Sequence, residues 1–214
     1  MPGARLFIVG LAATLTMSVT GCKRNEVPPP SKPTAESPKD APPTKRVVGP
    51  LSEEDAKALA TMNERLKIYL DIHKDLEKGL PKLSDNATPQ QIDANQRIFE
   101  KKMQAARKNA KRGEIFTGAA EPVIRRLLAS VFAGPEGKQL MDSVLDEQPA
   151  GVKLAVNARY PDNVPVSTVP PDILQALPQL TEDLEYRFIS HHLILLDAHA
   201  HVIADYIENA LPKK

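Results

Sequence analysis

The feature that most restricts the fold is a change of hydrophobic period near Pro149. Upstream, apolar residues recur at alternating intervals of three and four, which places them on one face of a helix. Downstream they alternate with polar residues, as in a strand with one buried face. A chain written with helices first and strands last is expected to be α+β: an N-terminal helical hairpin and two shorter helices, followed by a small antiparallel sheet.

The helical part carries its own start and stop signals. Ser52-Glu53-Glu54-Asp55 reads as a capping box with acidic groups in the first turn. Leu59, Met62, Leu66, Tyr69, His73 and Leu76 then form one stripe on a helix that ends near Gly79. His73 lies on this stripe, which makes it a packed histidine in this reading and not a ligand. Thr88-Pro89-Gln90-Gln91 opens a second helix, with proline at its first position and glutamine completing the box. Ile92, Phe99, Met103, Ala106 and Ala110 line one face of it until Gly113. The polar loop KLSDNA between the two predicts an antiparallel hairpin. Val123, Ile124, Leu127, Leu128, Val131 and Phe132 mark a third helix, and Leu140, Met141, Val144 and Leu145 a fourth that starts at Pro135.

Past Pro149, GVKLAVNARY alternates as a half-buried strand, and VPVSTVP reads as an edge strand because proline cannot donate to a ladder. PDILQAL is a short helical turn. LEYRFI alternates again, and LILLD is apolar on both faces and therefore central. The last apolar segment, VIADYI, fits a third strand. It also fits a helix through Val202, Ile203, Tyr206, Ile207, Ala210 and Leu211. The strand is preferred.

The N-terminus specifies an address. Arg5 precedes an uncharged apolar run from Leu6 to Val19, 14 residues long. That is the pattern of a secretory signal peptide and is too short for a span of ~20 residues. Val19-Thr20-Gly21-Cys22 resembles the lipobox of bacterial lipoproteins. The resemblance implies that the Cys22 thiol is diacylated, palmitate being a typical chain, that cleavage falls before it, and that the new amine is acylated. Cys22 is the only cysteine in the chain, so no disulfide can form within it. Lys23 rather than aspartate follows the anchor. By resemblance to Gram-negative lipoproteins, this favours the outer membrane slightly over the inner.

From Lys23 to Pro50 come 28 residues with eight prolines and almost no large apolar side chain. Such a segment cannot bury enough surface to offset its ordering entropy and is expected to be a disordered tether. At ~3.1 Å per residue it would reach about 85 Å. The expected organisation is a lipoprotein signal peptide at 1–21, the lipidated cysteine and proline-rich tether at 22–50, and a single α+β domain at 51–214. Within that domain, 51–148 is helical and 149–214 mostly β.

The run LEYRFISHHLILLDAHAHVIADYI resembles a segment of small uncharacterised secreted bacterial proteins. It is also similar to the C-terminal hairpin of periplasmic nickel/cobalt-homeostasis proteins. The resemblance implies two strands meeting at a turn, then a third apolar strand, with His199 and His201 in the polar connection.

Charge is balanced overall but not along the chain. Residues 23–112 carry 19 basic and 13 acidic side chains, and residues 113–214 carry 8 basic and 14 acidic. Arg97, Lys101, Lys108 and Arg112 fall on one helical stripe opposite Phe99 and Met103. A solvated face is the ordinary reading. Contact with anionic lipid or an anionic envelope polymer is the functional one, at ~1 kcal/mol per basic group near such a surface. Nucleic acid is excluded as a partner by the expected compartment and by the scarcity of aromatic residues on the stripe.

No G-x-S-x-G, H-E-x-x-H or dinucleotide fingerprint is present, and no catalytic residue is assigned. Asp197, His199 and His201 sit at alternate positions, with His191 and His192 just upstream. On a strand, alternate positions share a face and could converge on zinc, nickel or copper. The ordinary reading is a turn aspartate among exposed turn histidines, with no cofactor. The expectation is a lipid-anchored, periplasm-facing envelope protein that acts as a non-enzymatic binding or scaffolding module for an unknown protein partner. The alternative is a periplasmic metal-binding module built on those C-terminal histidines.

Overall fold

The computed structural model describes residues 50–145, 153–162, 164 and 169–212. The signal peptide, Cys22, nearly all of the tether, most of VPVSTVP and the start of GVKLAVNARY lie outside them. Among the described residues five helices precede a three-stranded antiparallel sheet, so the fold is α+β.

Helix α1 spans Glu53–Glu77. The Ser52 side chain accepts from the Asp55 amide, and three acidic residues occupy its first turn, where they complement the helix dipole. Ala58, Met62, Leu66, Tyr69 and His73 are buried, while Leu59 and Leu76 flank them half-buried. Helix α2 spans Pro89–Ala106 and starts with a complete capping box between Thr88 and Gln91. Its buried residues are Asn95, Phe99 and Met103. Ile92 is 50% exposed, so the expected apolar line begins later than the sequence suggests.

The helix also stops earlier than Gly113. Arg107 leaves helical geometry at φ −110°, ψ 28°. Its guanidinium is drawn inward, 4.6 Å from the centre of the Tyr69 ring and bonded to Asn157 Oδ1 (2.8 Å), Glu114 (3.0 Å) and the Ala204 carbonyl (3.2 Å). A cation with that many fixed acceptors outweighs one further turn of helix.

Helices α3 (Ala120–Phe132), α4 (Gly137–Leu145) and α5 (Pro171–Ala176) complete the helical layer. The fourth begins at Gly137, two residues after the expected start. A Cβ at Gly137 would lie 1.8 Å from the Phe132 carbonyl oxygen, so only glycine permits this approach between α3 and α4.

Strands β1 (Leu184–Ile189), β2 (His192–Asp197) and β3 (Val202–Ile207) pair in the order β1-β2-β3. The last apolar segment is therefore a strand. LILLD is central, as its apolar character on both faces requires. Leu193 and Leu195 join the main core with α1–α3, whereas Ile194 and Leu196 face a second cluster with Tyr160, Val164, Ile189 and Ile203. Between Leu195 and Leu196 the register with β3 shifts, leaving Ala204 without a partner in the ladder. This bulge breaks the alternation of β3.

GVKLAVNARY is not a strand over its described residues. It makes a single bridge, Arg159 with Val202, because Asn157 takes a left-handed φ of 63° and turns the chain. The segment still lies along β3. The Asn157 and Tyr160 amides donate to the Ile203 and His201 carbonyls, and the Ile203 amide donates to Ala158.

Candidate functional site

Helix α1 presents Tyr69, His73 and Glu77 one turn apart on the same face. Strand β2 ends opposite them at Asp197. Both Tyr69 and His73 bury their polar atoms against this one carboxylate. The Tyr69 hydroxyl donates to Asp197 Oδ2 at 2.7 Å, and His73 Nδ1 lies 2.7 Å from the same oxygen. The other oxygen accepts from the Ala200 amide at 2.7 Å, closing the β2–β3 turn. An ionised carboxylate only accepts, so His73 carries its proton on Nδ1. Asp197 and His73 are fully buried.

The second nitrogen, Nε2, then carries no proton in the neutral ring. His73 Nε2 is buried and, among the described residues, has no hydrogen-bond partner. Asp183 Oδ1 stands 3.7 Å from it, beyond hydrogen-bond reach. Burial pulls the His73 pKa down, but the Asp197 hydrogen bond and the charges of Asp197, Asp183 and Glu77 together hold it above the usual histidine value. Burial and the Asp197 charge push the Tyr69 phenol well above its usual value, so it stays a donor.

Glu77 and His199 stand beside the His73 ring. His199 Nδ1 lies 2.9 Å from Glu77 Oε1, and each of these two side chains is a little over 40% exposed. One ligand-type atom from each of His73, Glu77 and His199 falls within 4.8 Å of the others. Phe99 sets both imidazoles edge-on to its ring, with centroids at 4.8 Å from His73 and 4.9 Å from His199.

A second buried carboxylate lies on β3. Asp205 accepts from the backbone amides of Gly113 (2.9 Å), Ile115 (2.8 Å), Phe116 (2.9 Å) and its neighbour Tyr206 (2.8 Å). The tight bend that aims the first three at it passes through Gly113 at φ 84°, a conformation that suits glycine. This group is a fastener between the α2–α3 connection and the sheet.

The histidines and aspartate singled out in the sequence do not form one cluster. Asp197 ends β2, so Asp197, His199 and His201 are not alternate positions of a strand. Residues 198–201 form the turn, and His201 takes φ 56°. His201 turns away from His199. It stands edge-on to Tyr160 and 3.7 Å from Asp162, and burial together with the Arg159 charge lowers its pKa. His191 and His192 sit at the other end of β2, ~17 Å away at ~3.4 Å per residue. There His192 Nδ1 accepts from the Asn209 amide, and burial lowers its pKa.

The basic residues do not form a helical stripe. Arg97 and Lys101 belong to α2, but Lys108 and Arg112 follow the break at Arg107. Arg97 pairs with Asp93 at 2.8 Å, and Arg112 lies 3.5 Å from Glu121.

The sequence reading did not bring in Tyr69, Glu77, Phe99 and Asp183 as site residues. The available signal was the spacing Tyr69-x3-His73-x3-Glu77, which stacks three polar groups on a face otherwise devoted to the core. No protein family, curated protein or solved structure matches the chain.

Proposed function

We propose that the chain is a lipid-anchored protein of the cell envelope, facing the periplasm, whose folded part is a non-enzymatic binding module on a proline-rich tether. The observation that carries this reading is the position of Cys22. The only cysteine of the chain stands where an apolar 14-residue run ends in Val-Thr-Gly. Two or more acyl chains on that residue would hold the protein firmly, at ~0.8 kcal/mol per buried CH₂. The exposed Lys101, Lys108 and Arg112 are the groups that would meet anionic headgroups or envelope polymers near such a surface.

The non-catalytic part of the proposal is supported by how the polar groups are spent. The Tyr69 hydroxyl and His73 Nδ1 both go to Asp197, inside the core, where no substrate atom could reach them. Metabolic labelling with a radioactive fatty acid tests the anchor. The wild type should incorporate label and fractionate with membranes. Cys22→Ser should do neither and should keep its leader, because the thiol is the acyl acceptor. Equal labelling of the two would end the proposal.

A further inference from the structure

We infer that His73, Glu77 and His199 form a binding site for one divalent transition-metal ion, with Asp197 fixing the buried imidazole behind it. The inference rests on reading the folded part as a binding module and names the ligand class.

The unused nitrogen is the starting point. A fully buried imidazole nitrogen without a hydrogen bond leaves part of its desolvation uncompensated. His73 offers a ligand atom within 4.8 Å of those of Glu77, one helical turn further along α1, and His199 from the β2–β3 turn. Two imidazoles and a carboxylate are a common donor set for zinc and similar ions. The Asp197–His73 contact supplies what such sites use to fix a ligand: a carboxylate accepting from one ring nitrogen, so that the other is aimed and made more basic. Phe99 packs against both rings and limits their rotation.

Geometry decides whether the set can close. With bonds of ~2.1 Å, tetrahedral ligand atoms stand ~3.4 Å apart, and the present spread is up to 4.8 Å. The two side chains that must move inward, Glu77 and His199, are the half-exposed ones, and the buried one is already held. Asp183, 3.7 Å from His73 Nε2, or a water can take the fourth position. Glu77, Asp183 and Asp197 also place three carboxylates around two imidazoles, a charge balance that favours a cation. His191, His192 and His201 have no part in this site.

Zn²⁺ titration of the full chain carrying Cys22→Ser, followed by calorimetry and by thermal melting, tests the inference. The substitution removes the thiol that would otherwise scavenge metal. It also separates this outcome from the anchor, which fatty-acid labelling of the wild type reads independently. One ion per chain and a higher melting temperature are expected. Glu77→Gln and His199→Ala change half-exposed side chains and should fold. Each should weaken binding tenfold or more, and together they should abolish it. Asp197→Asn should weaken binding 10- to 100-fold through His73. The triple change His191→Ala, His192→Ala and His201→Ala should leave affinity unchanged. Absence of saturable binding, or binding that survives the Glu77→Gln/His199→Ala pair, would overturn the site.

Discussion

Asp197 and Asp205 lie on adjacent strands, both fully buried, and the fold neutralises them in opposite ways. Asp205 receives four backbone amides, three of them from the 113–116 bend. Backbone donors neither titrate nor rotate away, so this carboxylate is locked with its surroundings. Asp197 receives one amide and two side chains, and one of those, His73, carries a second buried nitrogen beyond it. The first arrangement can only hold the fold together. The second holds it and leaves a donor atom over. The contrast sets the proposed site at the α1–turn junction apart from a structural fastener at the α2–α3 bend.

The largest effect should come from Asp205. Its loss strands four backbone amides at once, those of Ile115 and Phe116 fully buried, and lets the 113–116 bend detach from β3. Asp205→Ala should cost about 3–5 kcal/mol, since each buried donor left unsatisfied costs ~1–3 kcal/mol. That is a large share of the ~5–15 kcal/mol by which domains are stable. Asp205→Asn should recover little, because its amide group would point N–H at N–H. Urea unfolding of both variants measures this. A cost below that of the Asp197 variants would invert the comparison.

Asp197→Asn should be milder. The carbamoyl group has the same shape, and its oxygen can still accept from Tyr69 or Ala200. The charge-assisted bond to His73 is what disappears, worth about 1.5–3 kcal/mol. Tyr69→Phe in the same background should add less than it costs alone, because the two changes remove a shared contact. Strict additivity in the double-mutant cycle would mean that Tyr69 and Asp197 are not coupled.

Much of the fold was legible in the sequence because it rests on local signals. The Thr88 capping box, the stripe from Met62 to His73 and the doubly apolar LILLD each state their element without reference to anything distant. The departures arise where a long-range contact overrides a local pattern. Arg107 ends α2 because Asn157, Glu114 and Ala204 hold its guanidinium, and Asn157 breaks the alternation of GVKLAVNARY with a left-handed turn. The candidate site falls in the same class. His73 was read from its stripe as a packed residue, and it is packed. Its pairing with Asp197, 124 positions away, could not be read from spacing along α1. The alternation of Asp197, His199 and His201 implies a shared strand face. The turn splits it, leaving Asp197 against His73, His199 beside Glu77 and His201 against Tyr160.

The smallest effect, and the sharpest separation of the two carboxylates, concerns pH. Groups facing His73 are Tyr69, Asp197, Asp183, Glu77 and His199; burial lowers its pKa, but the Asp197 hydrogen bond and the charges of Asp197, Asp183 and Glu77 outweigh it and leave the value above 6.5. The folded state therefore holds this proton more tightly than the unfolded chain. The stabilisation is full below ~6.5 and is lost as pH rises through the folded value. His192 and His201 have lowered values, so their contribution has the opposite sign and falls in a different window, below 6.5, where the unfolded chain takes up protons first. Above 6.5 the wild type should lose stability gradually, and Asp197→Asn should flatten that decline. Variants at Asp205 should keep it, because backbone amides carry no titrating proton. Urea midpoints across the neutral range, together with the NMR titration of the His73 ring, give both readings. A slope above 6.5 that persists in Asp197→Asn, or one that vanishes in Asp205→Asn, would show that the two carboxylates are not the separate devices their donors make them.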